Sequence, residues 1–288
     1  MIDYGRKIKV GSGQLNVYTE GQGNKTIVFM AGQFVTSPVL EYRPLYRKLS
    51  DKCRIVVIEK SGYGESTDTG TPRTVENMVN ESRYVLEQAG LKPPYVLVPH
   101  SYSGFEAIYW ANTFPDEVEA VFSIDMGIPG TAIKMEKELP QDKKSALNEK
   151  NRRFYQKIQK RGVLARIVRK WTVDATGLMS SDHLTAEEKE LYSELFYKNL
   201  SNDAFFEEAM KMTENAKAAE ATGKLRVPAF FYISDMKIRI TGTTWREEAI
   251  KYAESIGAKY QLTDQGHNMH SRISHQIVED LLFFLGTI

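Results

Sequence analysis

Ser101 stands where the chain changes character. Before it, Tyr95-Val-Leu-Val-Pro99 is apolar and β-branched; after it, Ser103–Thr113 carries a helical pattern. A serine on a tight strand–turn–helix is held in a strained conformation with its Oγ exposed above the sheet. The helix behind it aims free N–H groups and the positive end of its dipole at negative charge that develops there. That arrangement suits attack on a carbonyl carbon, the plain alternative being a serine that merely caps a helix. The single cysteine, Cys53, rules out an internal disulfide and a Cys-based zinc cluster. It precedes the apolar run Arg54-Ile-Val-Val-Ile58 and reads as a buried structural thiol.

The elements that must carry Ser101 alternate in type. Lys7–Val10 and Gln14–Glu20 read as a hairpin and Thr26–Ala31 as a near-continuous apolar strand. Pro38–Leu49 reads as a helix, Arg54–Glu59 as a strand, Val75–Ala89 as a helix stopped by Gly90, and Val118–Ile124 as a strand. From about Gly127 to Gly223 the chain turns polar, Lys/Glu-rich and helical in pattern. Strand–helix alternation resumes with Val227–Ile233, the helix Thr244–Ile256, the strand Lys259–Leu262 and the helix Ile273–Leu285. Strands this apolar, separated by helices, imply an α/β fold: a mostly parallel, doubly wound sheet covered on both faces. Residues 1–126 and 224–288 would form that core, and residues 127–223 an all-helical insertion.

Three further segments, together with the serine turn, resemble the α/β-hydrolase family. Pro99-His-Ser-Tyr-Ser103 stands where that family has its G-x-S-x-G elbow, with Pro99 and Ser103 in place of the glycines. Ile27-Val-Phe-Met-Ala-Gly-Gln33 resembles the strand and glycine turn whose next N–H enters the oxyanion hole. The resemblance implies donors from the Gln33 and Tyr102 backbones. Glu59-Lys-Ser-Gly-Tyr-Gly-Glu-Ser66 resembles a structural turn that begins with aspartate in the family; it lacks the Lys-Ser/Thr pair of a phosphate-binding loop. Gly266-His267, after the last strand and before the C-terminal helix, lies where the family places its catalytic base. His100, His183, His270 and His275 then read as packing or surface residues. The resemblance puts the acid at the end of the strand after the insertion, which makes Asp235 the expected partner of His267. Asp125, at the end of the strand before the insertion, is the alternative. A serine nucleophile argues against the dehalogenase and epoxide hydrolase branches, whose elbow carries aspartate.

The implied activity is hydrolysis of a small ester-like carbonyl substrate through an acyl-enzyme, with no cofactor and no metal. Two rival readings stay open: a C–C bond hydrolase or lyase using the same three residues, and a small-molecule-binding signalling protein. In this fold the insertion forms a cap. It is rich in aromatics, among them Phe154, Tyr155, Trp171, Phe196, Tyr197, Phe205 and Phe206, which suits an apolar substrate. Residues 143–171 carry eleven Lys and Arg against Glu149, with Leu164, Ile167, Val168 and Trp171 at helical spacing. A basic amphipathic helix of this kind can touch a membrane, although packing on the core is the expected use. The net charge of +1 gives no bias toward nucleic acid. No run of about 18 apolar residues is present, and MIDYGRKIKV lacks the apolar stretch of a signal peptide, so the cytoplasm is the default location. Nothing in the sequence fixes an oligomeric state.

Overall fold

A computed structural model describes residues 3–138, 141–159, 173, 177–236 and 245–288. The strands are β1 (Arg6–Val10), β2 (Gly13–Glu20), β3 (Thr26–Met30), β4 (Arg54–Glu59), β5 (Tyr95–Ser101), β6 (Val118–Met126), β7 (Ala229–Ile233) and β8 (Lys259–Leu262). They form one sheet in the order β1-β2-β4-β3-β5-β6-β7-β8. β1 and β2 are antiparallel and β2 joins β4 antiparallel; every later pairing is parallel. The α/β reading therefore holds, with the hairpin as the antiparallel edge.

The continuous apolar runs of β3, β4 and β5 follow from burial on both faces. Along β3, Val28 and Met30 join one core, with Val79, Val85 and Ile108. Ile27 and Phe29 join the opposite core, with Tyr46, Ile277 and Leu281. The two layers thus come from the period-2 alternation of one strand. Helices α3 (Val75–Gln88), α4 (Ser103–Thr113) and α10 (Trp245–Ser255) cover the first face. The short α1 (Pro38–Glu41) and α2 (Arg43–Tyr46), with α11 (Ser274–Leu285), cover the second. The single helix expected over Pro38–Leu49 is broken into these two turns. Pro44 has no N–H to donate back to Leu40, and its ring disfavours continuous helix through the preceding residues.

Between β6 and β7 the described residues are helical or irregular, with no strand. They include α5 (Pro129–Glu138), α6 (Gln141–Gln159), α7 (Ala186–Asn199), α8 (Asp203–Met210) and α9 (Met212–Ala221). A capping box starts α7: Thr185 Oγ1 accepts from the Glu188 N–H, and the Glu188 carboxylate accepts from the Thr185 N–H. Glu188 also receives two core cations, Arg43, buried, and Arg47 at 2.6 Å. Leu40, Tyr192, Leu195 and Phe196 close a third apolar cluster between insertion and core. The second part of the basic stretch, residues 160–171, with Leu164, Ile167, Val168 and Trp171, lies outside the described residues. No helix among the described residues is long and apolar enough to cross a membrane.

Candidate active site

β5 runs two residues further than its apolar pattern suggests and ends on Ser101 itself. Ser101 has φ +54, a left-handed conformation for a residue with a side chain. Such strain persists only where the surroundings enforce it. Here Ser103 enforces it: its buried Oγ accepts from the His100 N–H at 3.0 Å and lies 2.8 Å from the Met30 carbonyl and 2.9 Å from that of His100. Ser103 therefore ties the turn to β3. The close helix–strand approach falls to the next residue, Gly104, where an added Cβ would sit 2.4 Å from the Gly127 carbonyl oxygen. Pro99 pairs with Met30 of β3 inside the sheet.

The turn after β3 presses against the serine. A Cβ on Gly32 would lie 2.7 Å from Ser101 Cβ and 2.8 Å from the His100 carbonyl, so only glycine fits. Gln33 and Tyr102 consequently flank Ser101. Among the described residues, no turn, loop or side-chain acceptor is found for the N–H of either. The side chains of both reach the insertion: Gln33 Nε2 donates to the Phe205 carbonyl at 2.7 Å, and Asn215 Nδ2 donates to Tyr102 Oη at 2.5 Å. Phe34, at φ +62, stands among Tyr155, Phe205 and Phe206, with ring centroids 5.9, 5.3 and 6.1 Å away. Other aromatics of the insertion serve packing: Phe196 is buried in the third cluster, whereas Phe154 is 52% exposed.

His267 follows β8, as the motif order predicts, and its Nδ1 lies 2.5 Å from Asp125 Oδ2. The aspartate against His267 is therefore the alternative, Asp125, and not the favoured Asp235. Asp235 is exposed and lies one residue beyond Ser234, whose N–H donates to Asp125 Oδ1 at 2.9 Å. The physical reason is a bulge in β6. His100 pairs with Ile124, but Ser101 pairs with Met126, leaving Asp125 as the extra residue. A bulge residue departs from the pleat and can re-aim its side chain, and Asp125 does so with φ +51. Ser123 Oγ closes the bulge by accepting from the Met126 N–H at 3.2 Å. β6 thus extends to Met126, and β7 ends too early to deliver an acid.

Asp125 is 1% exposed, so its carboxylate needs donors on both oxygens. Oδ1 accepts from Ser234 N–H and from Trp245 Nε1–H, each at 2.9 Å, and Oδ2 faces His267. The reading of the sequence passed over Ser234 and Trp245. The one available signal was a tryptophan at the start of the helix that follows the fifth parallel strand.

Beneath His267 lies a buried imidazole pair. His100 Nε2 is 3.1 Å from the His267 carbonyl, which accepts when that nitrogen carries the proton. The His100 ring centroid is 4.8 Å from that of His267 and 5.0 Å from that of His270. Burial and then the neighbouring imidazoles hold His100 well below the ordinary histidine value. Burial, with His267 second, brings His270 down to about 3. Both rings are neutral packing groups. His183 is half-buried, with its carbonyl accepting from Arg47, and His275 is exposed and pairs with Glu279. Glu59, where the family motif has aspartate, accepts from Glu65 N–H at 2.8 Å, Tyr4 Oη–H at 2.8 Å and Asn16 Nδ2 at 3.1 Å. Burial pushes its carboxyl up to about 7. This cluster braces the turn and stands apart from the serine.

The chain is 32% identical over 211 residues to the Bacillus subtilis protein YbdG, covering 73% of this chain and 62% of the relative. The matched part thus spans under two thirds of that protein's length. Among solved structures, a candidate epoxide hydrolase from Pseudomonas aeruginosa superposes with a TM-score of 0.65 at 16% identity, over 98% of this chain and 95% of the other. The enol-lactonase of Burkholderia xenovorans LB400 gives 0.63 at 15% identity, over 98% of this chain and 100% of the other. These likenesses reach the fold. The family model described as alpha/beta hydrolase fold matches residues 27–231, and the chain belongs to that family.

Proposed function

We propose that the protein is a serine hydrolase that cleaves a small carboxylic ester or related acyl substrate, with Ser101 as nucleophile, His267 as base and Asp125 as the acid. The observation that carries this reading is the 2.5 Å contact of His267 Nδ1 with a fully donor-satisfied, buried Asp125, on a loop that packs directly on the residue before Ser101. Asp125 accepts a hydrogen bond from the Nδ1–H, which keeps the proton on Nδ1 and presents the unprotonated Nε2 for general-base work. His267 takes the Ser101 proton as Oγ attacks the carbonyl carbon. The carbonyl oxygen becomes an oxyanion and accepts from the Gln33 and Tyr102 N–H groups. His267 then gives its proton to the leaving alcohol, and water activated by the same ring releases the acid and restores Ser101. The aromatic wall of Phe34, Tyr155, Phe205 and Phe206 beside the oxyanion turn favours an apolar acyl chain or ring. The insertion acts as a cap over the site.

The test uses p-nitrophenyl acetate, butyrate and octanoate with the wild type and Ser101→Ala, together with a fluorophosphonate that labels activated serines. Loss of at least about a thousandfold in kcat/KM and loss of labelling in the variant are expected. Equal turnover by both proteins would overturn the nucleophile. Labelling of Ser101 without ester turnover would move the reaction class to C–C bond cleavage.

A further inference from the structure

We propose that Trp245 is a positioning residue for the acid–base pair, orienting the Asp125 carboxylate through its indole N–H and the His267 ring through a perpendicular ring contact. The inference rests on the serine-hydrolase reading above and adds a residue to it. Two contacts of one rigid side chain carry it. Nε1 donates to Asp125 Oδ1 at 2.9 Å, and the indole meets His267 edge-on, with centroids 5.4 Å apart and planes at 81°.

The geometry is economical in donors. Ser234 N–H and Trp245 Nε1–H both terminate on Oδ1, which fixes the plane of the carboxylate and leaves Oδ2 free for His267. One backbone donor alone fixes a direction; a second, on a planar ring wedged against the imidazole, fixes the rotation as well. The neighbouring residue ties down the frame. Arg246 Nε donates to the Ser234 carbonyl at 2.8 Å, and its Nη2 donates to the Thr263 carbonyl and lies 3.3 Å from Asp264 Oδ1. Thr263 N–H in turn donates to the Ile233 carbonyl at 3.0 Å. The first turn of α10 therefore grips the end of β7, the loop that leads to His267, and the acid on β6. What sets Trp245 apart is that the carboxylate receiving its N–H is the one facing His267, and that the same ring touches His267.

The test compares wild type, Trp245→Phe and Asp125→Asn. In the Phe variant kcat falls about tenfold, the scale of one hydrogen bond to a charged group, while KM stays within about twofold. The far-downfield proton resonance of the His267–Asp125 hydrogen bond moves or broadens in the ligand-free protein. Unchanged kcat together with an unchanged resonance would overturn the proposal while leaving Ser101 labelling, and hence the serine-hydrolase reading, intact. A second measurement needs no substitution at Trp245. The chain has three tryptophans, and the Nε1–H of Trp110 donates to Glu117. Between wild type and Asp125→Asn an indole N–H resonance other than that of Trp110 must shift. If none does, Trp245 does not hold the acid.

Discussion

The two ends of the candidate site are held by different parts of the chain. At the acid–base end, the described residues that hold Asp125 and His267 belong to the core: the β6 bulge, Ser234 at the end of β7, and the Trp245–Arg246 turn. At the oxyanion end, both flanking residues lean on the insertion, Gln33 through Phe205 and Tyr102 through Asn215. Below Tyr102 a buried charge network makes the same connection. Lys60 lies 2.9 Å from Glu106 on α4 and 3.1 Å from Glu208 on α8, and Tyr63 Oη donates to Glu208 at 2.7 Å. The difference separates two requirements. On the proposed mechanism, proton transfer needs a geometry that does not change, and the pair that would perform it is built into the sheet. The proposed oxyanion donors are instead tied to the docking of the insertion.

The comparison breaks most sharply at the acid. Asp125→Asn should lower kcat by about four orders of magnitude, because the ring loses the acceptor that sets its tautomer. Asp235→Asn should leave kcat within about twofold. Steady-state kinetics on the best p-nitrophenyl ester decides this, and the reverse ranking would return the acid to the end of β7. The next largest effect lies at the other end. Glu208→Ala removes the charge shared by Lys60, Arg73 and Tyr63 and should cost about 3 kcal/mol in denaturant unfolding, the low end for breaking a buried pair because Lys60 keeps Glu106 and Arg73 keeps Glu81. It should also lower kcat while leaving the downfield His267 proton unmoved. If that proton shifts as well, the two ends are not separately held.

The sheet was readable because burial on both faces writes unbroken apolar runs, and β3, β4 and β5 lie within a residue or two of where those runs end. Ser101 and His267 could be read for a related reason: each sits on a turn beside a chemically distinctive residue, with Gly104 and Gly266 nearby. The acid could not. Asp125 and Asp235 both follow apolar strands, and the choice between them depends on one extra residue in β6 that no periodicity records. The donors that hold Asp125 in place beside His267, Ser234 N–H and Trp245 Nε1–H, arrive from 109 and 120 residues away. Nor could the support of Gln33 and Tyr102 be seen in advance, since a helical insertion announces its helices by pattern but not the atoms it offers the core.

The smallest effect sharpens the acid–base end through pH. His270 is neutral when folded, with a value near 3, against about 6.5 when unfolded. A lowered histidine value means that the unfolded chain takes up a proton first, so stability is lost as pH falls from about 6.5 toward 3 and is fully present above that window. At pH 5 the loss from this one ring should be about 2 kcal/mol. Glu41 and Glu59, raised to about 7 by burial, act in the opposite sense, since stability falls as pH rises from about 4.5 through 7. The wild-type profile alone therefore mixes the two. The informative quantity is the difference between wild type and His270→Gln in denaturant unfolding at pH 7 and pH 5. The variant should lose less stability on acidification by about that amount. An equal loss in both proteins would mean that His270 gains a proton without unfolding, and that the imidazole layer under His267 yields more readily than its burial implies.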